Sequence, residues 1–174
     1  MYYPRLYGIM SGPWRRLRSG VAILRFLDRL LVAIVAIGYA AVLGWLLISG
    51  DVRWIRVAVV PALALVLVTL IRKAVNEPRP YEQFNVDALL PATTQGRSMP
   101  SRHVTCAAVI ACALAWINLR WGLEMGAAAL LIAYTRVAGG LHFPRDVLAG
   151  LALGCACGIL FIPPALTGAG GIYA

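Results

Sequence analysis

The sequence is poor in charge, in acids, in lysine and in histidine. Only 13% of its 174 residues are charged, about half the share of a typical soluble domain. That scarcity argues against a soluble globular enzyme, a disordered chain or a nucleic-acid module. Seven acidic residues face 16 basic ones, for a net charge of +9, and Lys73 is the sole lysine among the cations. Cysteine is sparse too. Cys106, Cys112, Cys155 and Cys157 form no CxxC pair and sit in apolar runs. They read as small buried side chains and not as metal ligands or a disulfide framework. The basic stretch from Met1 to Asp28 lacks an early apolar core and a small-residue cleavage site, so it does not read as a signal peptide. Histidine occurs twice, as His103 and His142.

Apolar length is what the chain has in abundance. Hydrophobic residues make up 61% of it and the mean hydropathy is +0.79. A membrane span needs about 20 apolar residues. Five stretches qualify or come close: Leu30–Ile48, Trp54–Ile71, Val104–Leu119, Leu123–Thr135 and Val147–Leu166. The last three are short and rich in Ala and Gly, which suits close helix packing. Gly150 and Gly154 form a GxxxG whose simpler reading is packing within the chain. Pro13–Arg29 intersperses Arg15, Arg16, Arg18, Arg25 and Arg29 with apolar residues, the pattern of an amphipathic helix at an anionic membrane surface. The expected architecture is an all-α polytopic membrane helix bundle of five or six transmembrane helices, five by direct count, with an N-terminal amphipathic helix. Its divisions are a basic segment over 1–29, a catalytic domain over 30–166 and a tail over 167–174.

Five spans put the N-terminus, the loop over 72–102 and the loop over 135–146 on one side. That side collects thirteen cations, six of them before the first span, whereas Arg53, Arg56 and Arg120 alone lie opposite. The positive-inside rule makes the Arg-rich side cytoplasmic. Trp45, Trp54, Trp116 and Trp121 fall near the other side, as interfacial anchors do.

Three polar clusters end spans on the Arg-rich side. His142 and Asp146 are four apart, on one face of any helix that begins there, and Pro144 suits an early helical position. A carboxylate so placed can hold one imidazole nitrogen and leave the other as a nucleophile or base. Ser101 is a candidate N-cap for a helix from Arg102, whose free N–H groups would form an anion site beside His103. Arg72, Arg79, Arg102 and Arg136 add fixed positive charge. Together these groups suit phosphoryl transfer without a metal.

These clusters resemble the type 2 phosphatidic acid phosphatase (PAP2) family, whose catalytic core is shared with vanadium haloperoxidases. The family pattern is Lys-x6-Arg-Pro, then Pro-Ser-Gly-His, then Ser-Arg-x5-His-x3-Asp. This chain reads Arg72-x6-Arg79-Pro80, Pro100-Ser101-Arg102-His103 and Thr135-Arg136-x5-His142-x3-Asp146. Order and spacing match throughout, over about residues 57–162. Three positions depart. Arg72 replaces Lys with Lys73 adjacent, Arg102 replaces Gly, and Thr135 replaces Ser. Arg102 is the departure that bears on substrate choice. Many family members have six spans.

The resemblance implies roles. His142 would attack phosphorus and form a phosphohistidine, and Asp146 would orient it. His103 would protonate the departing oxygen and then activate water. Arg72, Arg79, Arg136, Ser101 and the amides near Arg102 would hold phosphoryl oxygens, with Lys73 and Thr135 as further candidates. No cofactor or metal is implied, and the partner is a lipid in the membrane. Arg97 and Arg145 read as topogenic charges, Glu77 and Glu82 as solvated partners of the Arg cluster, and Tyr81–Met99 as either a lid or a plain loop.

The first expectation is an integral-membrane phosphatase at the cytoplasmic face of a bacterial membrane. Its substrate would be phosphatidylglycerophosphate, phosphatidate or a polyprenyl-linked phosphate. An undecaprenyl diphosphate phosphatase is the alternative within the family. A non-catalytic lipid-binding membrane protein and a vanadate-dependent haloperoxidase are the alternatives from other classes.

Overall fold

A computed structural model describes residues 2–84, 86–92 and 95–161, and all their regular elements are helical. The α-helices are α1 (Tyr2–Arg16), α2 (Gly20–Ile48), α3 (Arg53–Val75), α4 (Pro80–Gln83), α5 (Arg102–Ile117), α6 (Leu119–Ala138) and α7 (Pro144–Gly158). A 3-10 turn over Ile159–Phe161 follows α7. The expected tail over 167–174 and the end of the fifth expected span lie outside the described residues.

α5 sets the architecture. Val104, Ala107, Ala108, Val109, Ile110, Ala111, Ala113 and Leu114 are all buried, so the helix is apolar around most of its circumference. Such a helix belongs in the middle of a bundle. α5 packs against α6, α7, α3 and α2. α2 and α3 carry the outer surface, with Ile37, Leu63, Val66 and Leu70 exposed. Large apolar side chains facing outward along long helices are what a lipid surround tolerates and water does not. Three segments, Gly20–Ile48, Arg53–Gln83 and Pro144–Phe161, are long and apolar enough to cross a membrane, and α5 is a shorter apolar helix. None of the four cysteines is fully buried, and Cys155 is exposed. Their flanking runs are apolar because they border the outer surface as well as the core.

α5 and α7 meet along a glycine seam. A Cβ on Gly154 would lie 2.6 Å from the Ala108 Cβ and from the Thr105 carbonyl oxygen, and one on Gly150 would lie 2.9 Å from the Ser101 carbonyl oxygen. Gly158 continues the stripe against Cys112. The GxxxG therefore packs within the chain. It brings the start of α5, which carries His103, against the start of α7, which carries Asp146.

The N-terminal region differs from the single helix expected over Pro13–Arg29. α1 ends at Arg16, and α2 begins at Gly20, where a side chain would collide with the Trp14 carbonyl. From there α2 runs unbroken through Arg29 and Leu30, the expected boundary between segment and domain. α1 folds over the end of the bundle. The Tyr3 ring packs edge-on against Phe143 at 4.6 Å, the Tyr7 hydroxyl donates to the Asp87 carbonyl at 2.6 Å, and Arg15 pairs with Asp87 at 2.9 Å. Aromatic burial holds α1 on the protein, so its cations are not spread on one free face.

The opposite end has tight connections. Asp51 binds the Arg53 guanidinium at 2.6 Å, and Asn118 caps α6 by accepting from the Arg120 amide at 2.9 Å. Trp45 and Trp121 meet edge to face there. All long connections, and all three motifs, sit at the α1 end.

Candidate active site

Residues from α3, the 76–101 loop, α5, α6 and the 139–143 loop line a cavity of about 500 Å³ at the α1 end. Arg72, Lys73, Arg79, Arg97, Arg102, His103, Arg136 and His142 all face it. Of the expected site residues, only Ser101, Thr135 and Asp146 stand behind that wall.

His142 ends the short loop between α6 and α7 and is 2% exposed. Its amide donates to the Arg136 carbonyl, so the loop itself ties this histidine to that arginine. The Nδ1 atom points toward Asp146 Oδ2 at 3.5 Å. That is longer than a good hydrogen bond, and Ser98 closes the gap. The Ser98 hydroxyl donates to Asp146 Oδ2 at 2.5 Å and lies 3.4 Å from His142 Nδ1. Asp146 Oδ2 also accepts the Phe143 amide at 3.0 Å. The carboxylate is thus fixed by both its own helix N-terminus and the 76–101 loop. Because Nδ1 is turned inward, Nε2 is the nitrogen left for the cavity. Burial holds the His142 imidazole below its ordinary pKa, against the opposing pull of Asp146. The ring is therefore neutral near pH 7, as a nucleophile must be.

Each inner arginine is held from behind. Arg72 ends α3, and its Nη1 donates to the Pro100 carbonyl at 2.9 Å. Arg79 is 7% exposed, and its Nε donates to the Gly96 carbonyl at 3.2 Å. Glu82 sets the loop that makes this possible, accepting the Arg79 amide at 2.6 Å and the Gly96 amide at 2.9 Å. Glu82 therefore binds backbone and is not a partner of the guanidinium cluster. Glu77 pairs with Arg145, outside the cavity. Arg136 Nε lies 3.1 Å from Asp28 Oδ1 on α2. The N–H vector misses hydrogen-bond geometry, so this contact is an ion pair.

The two hydroxyl candidates are placed differently from expectation. Thr135 donates to Asp28 Oδ1 at 2.9 Å and to the Ile132 carbonyl at 3.0 Å, and it does not line the cavity. It braces the Asp28–Arg136 pair. Ser101 takes the N-cap position of α5, yet its hydroxyl makes no cap hydrogen bond and is buried without a partner among the described residues. Its carbonyl instead starts the helix, accepting the Thr105 amide at 2.9 Å, and its amide donates to the Asp146 carbonyl.

Three contributors escaped the motif reading. Ser98 gives no signal by type or spacing. Asp28 offered one, as the only acid among the first fifty residues of a basic segment. Arg97, read as topogenic, lines the cavity with Gln95 and Gly96, so part of the 81–99 segment forms its wall.

Among the described residues no group of His, Cys, Asp or Glu is arranged to hold a metal ion. The cavity carries six cationic side chains and no carboxylate. Beside them stand a neutral imidazole oriented by a carboxylate and a second histidine. Such a set is chemically equipped to hold a phosphoryl group and to offer it a nucleophile.

The chain is 35% identical over 97 residues to the undecaprenyl-diphosphatase BcrC of Bacillus subtilis (strain 168), a stretch covering 56% of this chain and 50% of that protein. It is 30% identical over 110 residues to a lipid A 1-phosphatase of Rhizobium etli, covering 55% of this chain and 47% of that one. The chain thus spans about half the length of the curated relatives it matches. The crystal structure of Aquifex aeolicus LpxE superposes with a TM-score of 0.73 at 26% identity, over 92% of this chain and 94% of that one. The family model of the PAP2 superfamily matches residues 53–164, the stretch that contains all three motifs, and the chain belongs to that superfamily.

Proposed function

We propose that this protein is a membrane lipid phosphatase that works through a phosphohistidine on His142. The observation that carries the reading is the His142 geometry: a buried neutral ring, Nδ1 held by Asp146 and Ser98, in a cavity lined by Arg72, Arg79, Arg136 and His103. The relatives' names, undecaprenyl-diphosphatase and lipid A 1-phosphatase, favour a phosphorylated lipid as substrate.

The steps follow from the groups. The inner arginines neutralise the equatorial oxygens and present phosphorus to Nε2. Nε2 forms a bond to phosphorus as the bond to the lipid oxygen breaks. Asp146 stabilises the charge that develops on the ring. His103 gives its proton to the departing oxygen. It then takes a proton from water, which attacks phosphorus and releases inorganic phosphate with His142 restored. Arg136 also supports the loop bearing the nucleophile, so binding and positioning are coupled in one residue.

α2, α3, α5, α6 and α7 are the five membrane-crossing helices of this reading, with α1 packed on the site end. The Arg excess at that end favours the cytoplasmic face. A cysteine placed at Gln95 in a cysteine-free background reports the side: labelling only after cell lysis supports the assignment, and labelling in intact cells reverses it.

The functional test is phosphate release from a panel of phosphorylated lipids by the purified protein in detergent with chelator present. We expect release by the wild type, none by His142→Ala, and a trapped phosphohistidine after acid-free quenching. A panel on which the wild type releases nothing overturns the enzyme reading and leaves lipid binding.

A further inference from the structure

The cavity holds more positive charge than one phosphoryl group needs. Arg72, Arg79 and Arg136 are withdrawn around His142, and each is fixed by a contact behind it. Three charges already exceed the two of a phosphomonoester. Lys73, Arg97 and Arg102 line the same cavity, are exposed, and have no hydrogen-bond or ion-pair partner among the described residues. The positive-inside rule accounts for their sign. It does not account for their convergence on one cavity from α3, the 76–101 loop and α5. The volume is in excess too. About 500 Å³ is room for roughly sixteen waters at about 30 Å³ each, several times a single phosphoryl group.

The position of Arg102 says which side of the scissile bond the surplus serves. An apolar groove of about 160 Å³ opens between α2, α3, α5 and α6, lined by Val32, Val35, Leu65, Cys106 and Ile132 among others. Among the described residues, Arg102 and His103 alone line both this groove and the polar cavity. In the mechanism above His103 meets the departing oxygen. The leaving group therefore exits at the junction, with its hydrocarbon in the groove and Arg102 beside its first polar atoms.

Resting on the lipid-phosphatase reading, we propose that Arg102, assisted by Lys73 and Arg97, is a subsite for a second phosphate carried by the leaving group. The favoured substrates are lipids with two phosphates on the headgroup side, a lipid diphosphate foremost. The departing group is then itself a phosphate anion, and the Arg102 guanidinium takes up the charge it gains as the P–O bond breaks. The bond chemistry is unchanged: inorganic phosphate leaves from His142, and the lipid keeps one phosphate.

The test uses one chain with two heads. Phosphate release from farnesyl diphosphate and farnesyl monophosphate is measured for the wild type, Arg102→Gly and Arg102→Lys in neutral detergent. We expect the wild type to prefer the diphosphate at least tenfold in kcat/KM. Arg102→Gly should cut that ratio at least tenfold, and Arg102→Lys should restore part of it. A ratio near one in the wild type, or one unaltered by Arg102→Gly, overturns the proposal. The same assay with added phosphatidylglycerol separates the other source of phosphate. If Arg102 binds the headgroups of surrounding lipid, Arg102→Gly abolishes the response to phosphatidylglycerol for both substrates alike and leaves their ratio intact, which also overturns it. Binding of the methylene analogue of the diphosphate and of the matching monophosphonate, followed by tryptophan fluorescence, gives the same ratio without turnover. It therefore speaks even if no panel lipid is hydrolysed.

Discussion

Replacing Asp28 with Asn tests how the Arg136 guanidinium is held at the cavity wall. Asp28 sits on α2, 107 residues from Thr135 in sequence, and its Oδ1 meets both Thr135 Oγ1 and Arg136 Nε. The two charged side chains are 10% and 11% exposed. At 3.1 Å and an effective dielectric of about 20, their attraction is about 5 kcal/mol before desolvation is subtracted. Breaking a pair of this kind from one side costs about 3 kcal/mol or more. Asn keeps the shape and one acceptor for Thr135, so the loss concentrates on Arg136. Two consequences compete. Removing the carboxylate leaves the guanidinium without its counter-ion, so its field toward phosphate strengthens, which favours ground-state binding. Releasing it from its anchor spoils its aim, and a displacement of about 1 Å at such a site costs on the order of a hundredfold in rate. We expect aim to dominate kcat: a fall of about 10- to 100-fold, with KM unchanged or lower. Steady-state phosphate release on the best panel lipid reads the split, and a thermal melt reads the lowered stability. A kcat within twofold of wild type, or a loss carried wholly by KM, refutes the reasoning. Thr135→Val keeps the ion pair and should lose much less kcat.

Because burial lowers the His142 pKa, the ring stays neutral below its ordinary value of about 6.5. The acid limb of the kcat/KM profile should therefore fall below pH 6.5, and a limb above it would contradict the assignment. Ser98→Ala removes the hydroxyl between His142 and Asp146 and should lower kcat about tenfold, with the acid limb displaced; an unchanged pH profile would assign Ser98 to packing alone. Gly154→Val drives a branched side chain into Ala108 and the Thr105 carbonyl, so a loss of about 1–3 kcal/mol by overpacking should show as a lower melting temperature. Orthovanadate, a mimic of the bound phosphoryl group, should compete with lipid substrate, and noncompetitive inhibition would place it elsewhere.

Much of the site was legible because its chemistry sits in short motifs. His142 and Asp146 do approach each other as their spacing suggested, but α7 begins at Pro144 and leaves His142 in the preceding loop, so the loop and Ser98, not a shared helix face, bring them together. Arg72, Arg79, Arg102 and Arg136 converge as the motifs implied. The helical class followed from apolar length. Contacts made across the fold were not legible. Ser98 reaches Asp146 only because the 76–101 loop returns to the start of α5. Asp28 reaches Arg136 only because α2 packs on α6. No local pattern encodes either meeting. The break between α1 and α2 was hidden for a related reason. The basic and apolar alternation of Pro13–Arg29 satisfies a helix, and only the close approach of Gly20 to the Trp14 carbonyl interrupts it.

The seam between α5 and α7 bears on how the surrounding bilayer can influence this protein. Backbone approaches backbone there through Gly150 and Gly154, and Gly158 continues the stripe against the Cys112 side chain. His103 and Asp146 stand at one end of that joint, like two teeth cut on a single casting. Changes in bilayer thickness or tension act first on the outer helices, whose long apolar faces meet the acyl chains. Those helices form walls of the groove by which a lipid would arrive. In the proposed reading, membrane composition acts on admission of the substrate before it acts on the glycine-packed joint that carries His103 and Asp146.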